Sequence, residues 1–142
     1  MVNGNKTIQF DEITTKLIGC VNYIHQKLGN GSYIGVYKVY FPIALEMAGL
    51  TFETERKIVN TVDANAIEPP QIDFFVENRI MVILKRVTFK EKDNQQIRTY
   101  LKAYNLPIAL FVMYGIKEFN YQLLYDLDHP DNKNLNLMTF KS

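Results

Sequence analysis

Apolar positions first recur at helical spacing at Ile13, Leu17, Val21, Ile24 and Leu28. Asp11 suits the cap of this helix, with Glu12 in its first turn. Gly29-Asn30-Gly31 ends it, since glycine takes positive φ cheaply. A second helical segment runs from about Tyr33 to Ala48 and stops at Gly49. Pro42 lies inside it and predicts a kink or a break, because proline removes a backbone donor.

The pattern then changes period. Phe52, Ile58 and Val62 alternate loosely, which predicts a strand over residues 50–62 with a polar face. Pro69-Pro70 excludes helix and central ladder at that point. Ile72–Val76 and Ile80–Lys85 flank a short polar turn and read as a hairpin, the second strand apolar on both faces and hence central. A polar stretch over residues 90–94 leads to a helix over Asn94–Tyr104, with Asn105 as its cap and Pro107 blocking continuation. Ile108–Tyr114 is a buried strand, residues 117–125 an edge strand, and the tail, from about residue 126, a loose attachment rich in Asn, Asp and Lys. The order α–α–β–β–β–α–β, with a weaker last strand, predicts one α/β domain over residues 1–142, its core at about 11–125.

Composition narrows the class. The chain has 142 residues, one cysteine, and 16 basic against 15 acidic residues. That excludes a disulfide framework and a thiolate metal cluster, and shows no strong polyanion signature overall. No apolar run predicts a membrane span, and the N-terminus lacks an apolar signal core, so a cytoplasmic location is expected. Cys20 is expected to be buried and inert. Charge is uneven, however. Between Arg79 and Lys102 seven basic residues, Arg86, Lys90, Lys92 and Arg98 among them, face only Glu91 and Asp93, a local excess of five. Such a stretch reads either as a solvated surface or as a phosphate contact. Nine Tyr and nine Phe accompany no Trp. Tyr33, Tyr37, Tyr40, Tyr100 and Tyr104 gather on the helical segments, where a half-wet wall would use them.

Several ordered landmarks carry a resemblance. Ile24-His25-Gln26-Lys27-Leu28-Gly29, Asn30-Gly31 with Tyr37, and Leu45 with Gly49-Leu50 come first. Asp73-Phe74-Phe75-Val76-Glu77, Lys85, Gln96 with Tyr100-Leu101-Lys102-Ala103, and Tyr114-Gly115 follow. Over about residues 13–120 the chain resembles the GxxExxY family of the PD-(D/E)XK nuclease superfamily. The resemblance implies a restriction-endonuclease-like αβββαβ core with a mixed sheet of four or five strands. The first two helices would lie on one face and the third on the other. It also implies that Asp73, Lys85 and Gln96 occupy catalytic positions and that His25, Ile34, Tyr37, Ile83 and Tyr100 line the cleft.

The departures carry the functional reading. The two glutamates of the family pattern fall on Ile34 and Ile83, and an asparagine on Met113. Carboxylates in such nucleases hold Mg²⁺, a hard cation that wants oxygen ligands. Asp73 alone is a poor site, and no cofactor is expected. Glu46 stands twelve residues beyond Ile34, about 18 Å along a helix. Glu77 lies in the turn, which leaves Glu53 or Glu55 as candidates for a migrated acid. The leading expectation is a catalytically degenerate nuclease-like protein that binds nucleic acid or a protein, with Arg86, Lys90, Lys92, Arg98 and Lys102 as contacts. Alternatives are an active Mg²⁺-dependent nuclease and a homodimer that buries aromatic surface. Simpler roles stand beside these: Lys85 snorkelling or pairing with Asp73, His25 at a helix end, Tyr100 packing in the core.

Overall fold

The computed structural model describes residues 12–29, 33–57, 72–114 and 120–132. Helix α1 (Glu12–Leu28) and helix α2 (Ile34–Met47) precede a mixed five-stranded sheet. Its strands are β1 (Phe52–Glu53), β2 (Phe74–Val76), β3 (Ile80–Lys85), β4 (Ile108–Met113) and β5 (Asn120–Tyr125). Helix α3 (Glu91–Tyr104) connects β3 to β4. The sheet order is β1-β2-β3-β4-β5, with β3 parallel to β4 and every other pair antiparallel. A helical crossover is what a parallel pair needs, and α3 supplies it.

The two-residue period of the strands sorts the core into two layers. Phe74, Val76, Ile80, Val82, Leu84, Leu110 and Val112 face α1 and α2. Phe75, Met81, Ile83, Ala109, Phe111 and Met113 face α3. β4 is therefore apolar throughout and β3 as far as Leu84, as strands covered on both faces must be.

Four local details depart from the sequence pattern. Helix α2 runs through Pro42 without a break, since Phe41, Ala44 and Leu45 anchor it to the core on either side. Helix α3 starts at Glu91 rather than Asn94, because the Asp93 carboxylate accepts the Lys90 backbone N–H at 2.9 Å. Its end at Asn105, left-handed at φ 55° and ψ 49°, is where the turn residue placed it. The strand expected over 50–62 is two residues long in the described part, and Ile58 and Val62 lie outside the described residues. The tail is tied down as far as Asn132, whose buried amide donates to the carbonyls of Pro107 at 2.9 Å and Asp126 at 2.7 Å. Residues beyond 132 lie outside the described ones.

Candidate functional site

The hairpin register decides what surrounds Asp73. Phe74 pairs with Val82 and Phe75 with Met81, and Asp73 stands just before these paired residues. The Asp73 N–H donates at 2.9 Å to the carbonyl of Val82, the partner of Phe74, so the regular register stops there. Its side chain then turns toward the backbone. One carboxylate oxygen accepts the Leu84 N–H at 2.7 Å. The other lies 3.0 Å from the ammonium of Lys38, on α2. Lys38 comes one helical turn after Ile34, so α2 aims it at the start of β2.

Lys85 therefore does not pair with Asp73, although the sequence left that pairing open. It sits half-buried at the end of β3, on the same strand face as Ile83, and forms no ion pair among the described residues. Ile83 is 3% exposed in the α3 layer, close to Tyr100. Ile34 packs against the opposite layer. The two isoleucines thus belong to separate apolar layers with the sheet between them, and do not line a single wall.

Two more residues assigned to the cleft turn out to be interior. Tyr37 is fully buried and stacks on Tyr114, ring centroids 4.0 Å apart and planes 5° from parallel. Its hydroxyl donates to the Gly29 carbonyl. Gly29 closes α1 at φ 68°, so Tyr37 fastens the end of one helix to the next. The buried Tyr114 hydroxyl donates to the Val21 carbonyl at 2.9 Å, and burial pushes this phenol far above its usual range. Tyr100 and Tyr104 are buried beneath α3, whereas Tyr33 and Tyr40 are exposed. Gln96 is exposed on α3, and His25 is half-buried in the last turn of α1. Cys20 is buried, and burial pushes its thiol up.

The residues present do not fit a divalent cation. Mg²⁺ asks for a near-octahedral set of oxygens, and both Asp73 oxygens already have donors. Glu53 is held by Arg56 at 2.7 Å. Glu77 accepts the backbone N–H and the hydroxyl of Thr51, both at 2.6 Å, at the far end of β2, and these bonds hold its carboxyl below the usual range. Among the described residues no three His, Cys, Asp or Glu side chains gather as a metal set.

The basic stretch divides in two. Lys102 lies 3.3 Å from Asp126 and 3.2 Å from Asp128, and these carboxylates raise its pKa, Asp128 first. Arg98 is held by Asn94 and the Tyr125 carbonyl, and Arg79 by Asp131 at 3.7 Å. The acids that neutralise this half follow β5 in the chain, which is why a local charge count overlooked them. Lys85, Arg86, Lys90 and Lys92 lie from the end of β3 into the first turn of α3. They sit at the same end of the sheet as the Lys38–Asp73 pair, because Asp73 bonds the backbone of Leu84. Lys38 is the site residue that sequence reasoning missed. Its only signal was its position four residues after Ile34.

The register also predicts a mainly structural load on Asp73. Asp73→Ala should cost about 2–3 kcal/mol, since the Leu84 N–H loses its acceptor and Lys38 its counter-ion. Asp73→Asn keeps an acceptor and should cost about 1 kcal/mol. Urea unfolding of the two variants checks the order.

A family model described as the PD-(D/E)XK nuclease superfamily matches residues 11–123. No curated protein matches the chain. No solved structure matches it either.

Proposed function

We propose that this chain, which belongs to the PD-(D/E)XK nuclease superfamily, is a catalytically degenerate member that binds nucleic-acid phosphates without cutting them. The carrying observation is the Asp73 carboxylate, held between the Lys38 ammonium and the Leu84 N–H, with the apolar Ile83 in the adjoining strand. A resident ammonium supplies one fixed positive charge where a nuclease needs a dication. It offers no water to activate and no second coordination position. The likeness to the GxxExxY pattern supports the same reading, since both of its glutamates are isoleucine here.

Attraction of phosphate survives that loss. Lys85 follows the Leu84 whose N–H Asp73 accepts, Arg86, Lys90 and Lys92 follow it toward and into the first turn of α3, and each phosphate they neutralise releases a counter-ion. Four such contacts predict a salt slope of about −3, from roughly −0.7 to −0.9 per phosphate.

Fluorescence anisotropy of a labelled oligonucleotide across a salt series, beside a gel assay with Mg²⁺ or Mn²⁺, tests both halves. The expected result is salt-dependent binding, intact substrate, and a slope reduced by about 2 in Lys90→Glu/Lys92→Glu. Cleavage that disappears in Asp73→Ala would sink the degenerate reading. Binding without salt dependence would remove the nucleic-acid reading and leave a protein ligand.

A further inference from the structure

Helix α2 has two apolar faces but only one layer of this chain to bury them in. Its inner residues Tyr37, Phe41, Ala44 and Leu45 enter the core. A second series, Tyr33, Val36, Tyr40, Ile43 and Met47, steps by three and four residues along the outer side. Tyr33 is 77% exposed, Tyr40 46%, Ile43 50% and Met47 69%, with Val39 at 65% on its flank. Helices that are apolar all round are normally covered. A three-four spacing is the seam that meets another helix, knobs into holes.

Beside this seam runs a groove of about 380 Å³ between α1 and α2. Its walls include Gly19, Cys20, Tyr23, Ala44 and Ala48. Small side chains on the floor let a second helix approach closely, and an added Cβ at Gly19 would meet open space.

From these features we infer that the protein forms a two-fold homodimer in which α2 of each copy lies over the α1–α2 groove of the other. The exposed seam offers on the order of 600–800 Å² of mostly apolar surface per copy, close to the ~800 Å² that a standard interface buries per partner. Charge placement favours a second copy with the two-fold axis running along α2. In that arrangement each level of the helix meets its own level. Lys16 borders the groove beside Met47 and Ala48, so it comes to face Glu46 of the second copy. Within one copy Glu46 is exposed, and Lys16 lies 3.9 Å from Glu12 and acts at longer range on the Glu77 carboxylate. The symmetry makes each such pair occur twice.

Analytical ultracentrifugation of the full chain tests this, with circular dichroism to confirm folding. The wild-type protein should sediment as a dimer. Ile43→Asp and Met47→Asp, both at exposed positions, should each weaken association about 30-fold or more while keeping native dichroism. Lys16→Glu alone and Glu46→Lys alone should each weaken it about tenfold, because like charges then meet at two places. The double variant Lys16→Glu/Glu46→Lys should restore dimerisation to near wild type. A wild-type monomer at all concentrations would overturn the dimer. So would a dimer untouched by Ile43→Asp and Met47→Asp, and a double variant no tighter than the single ones would overturn the arrangement.

Discussion

Ile83→Glu is expected to destabilise the protein by more than about 4 kcal/mol at neutral pH, a large share of a domain's stability. Ile83 is 3% exposed in the α3 layer, among Phe75, Met81 and Tyr100. Removing its burial costs roughly 1.5–3 kcal/mol. The new carboxylate must then be desolvated, which raises its folded-state pKa. The raised pKa sets the sign with pH. The folded state binds the extra proton, so the variant gains stability as pH falls toward the unfolded value, about 4.3, and loses it as pH rises. Thermal melts from pH 4 to 8 check the sign, measured as a difference from wild type.

The same variant tests the proposal that no cation binds beside Asp73. Asp73 turns its carboxylate to the Leu84 N–H and to Lys38 of α2, whereas residue 83 faces the α3 layer, so the new glutamate tests whether a cation at this end of β3 can draw on both. Lys38 competes with any cation for Asp73, so Lys38→Ala has to accompany the change. The variant Lys38→Ala/Ile83→Glu is expected to regain stability in Mn²⁺, by about 2.7 kcal/mol once the cation reaches a hundred times its Kd. Adding Asp73→Ala should abolish the gain. An equal gain in that triple variant would show that the cation binds elsewhere. Adding Ile34→Glu extends the repair to both isoleucines, but the second glutamate would enter from the opposite apolar layer.

Tyr37→Ala should cost about 3–5 kcal/mol, the range for losing a large buried aromatic. The ring is completely buried against Tyr114, and its hydroxyl caps the Gly29 carbonyl at the end of α1. Tyr37→Phe keeps the stack and loses only the bond, so about 1 kcal/mol is expected. Guanidinium unfolding followed by far-UV dichroism separates the two. A loss below about 1 kcal/mol in Tyr37→Ala would mean that the ring is a surface group after all. The pair of variants also accounts for the conjunction of glycine and tyrosine in this stretch of sequence. One residue ends a helix at positive φ, and the other satisfies the carbonyl left there.

Much of the site was legible as a set of positions but not as a set of neighbours. The pairing of residues 74–76 with 80–82 follows from the hairpin that two apolar runs around a short turn announce. The direction of Lys85 follows from the two-residue period. Tyr37 was read as a wall of the cleft because a tyrosine on a helix suits a half-wet surface equally well. Only the packing of α2 onto Tyr114 decides that its ring is interior. Arg98 and Lys102 looked free to meet phosphate because their partners, the Tyr125 carbonyl and the carboxylates of Asp126 and Asp128, arrive from β5 and the turn that follows it.

The sequence alone determined the order of helices and strands, the central place of β3, the stop at Asn105 and the apolar identity of residues 34 and 83. Each of these is set by residues close together in the chain, through hydrophobic period, turn chemistry or residue identity. The tertiary structure decided that Lys38 occupies Asp73, that Ile34 and Ile83 fall in different layers, and that α2 keeps an uncovered seam. Those outcomes depend on which segments meet across the fold. Ion pairs and buried contacts form between groups that are near in space, and distance along the chain does not encode that nearness.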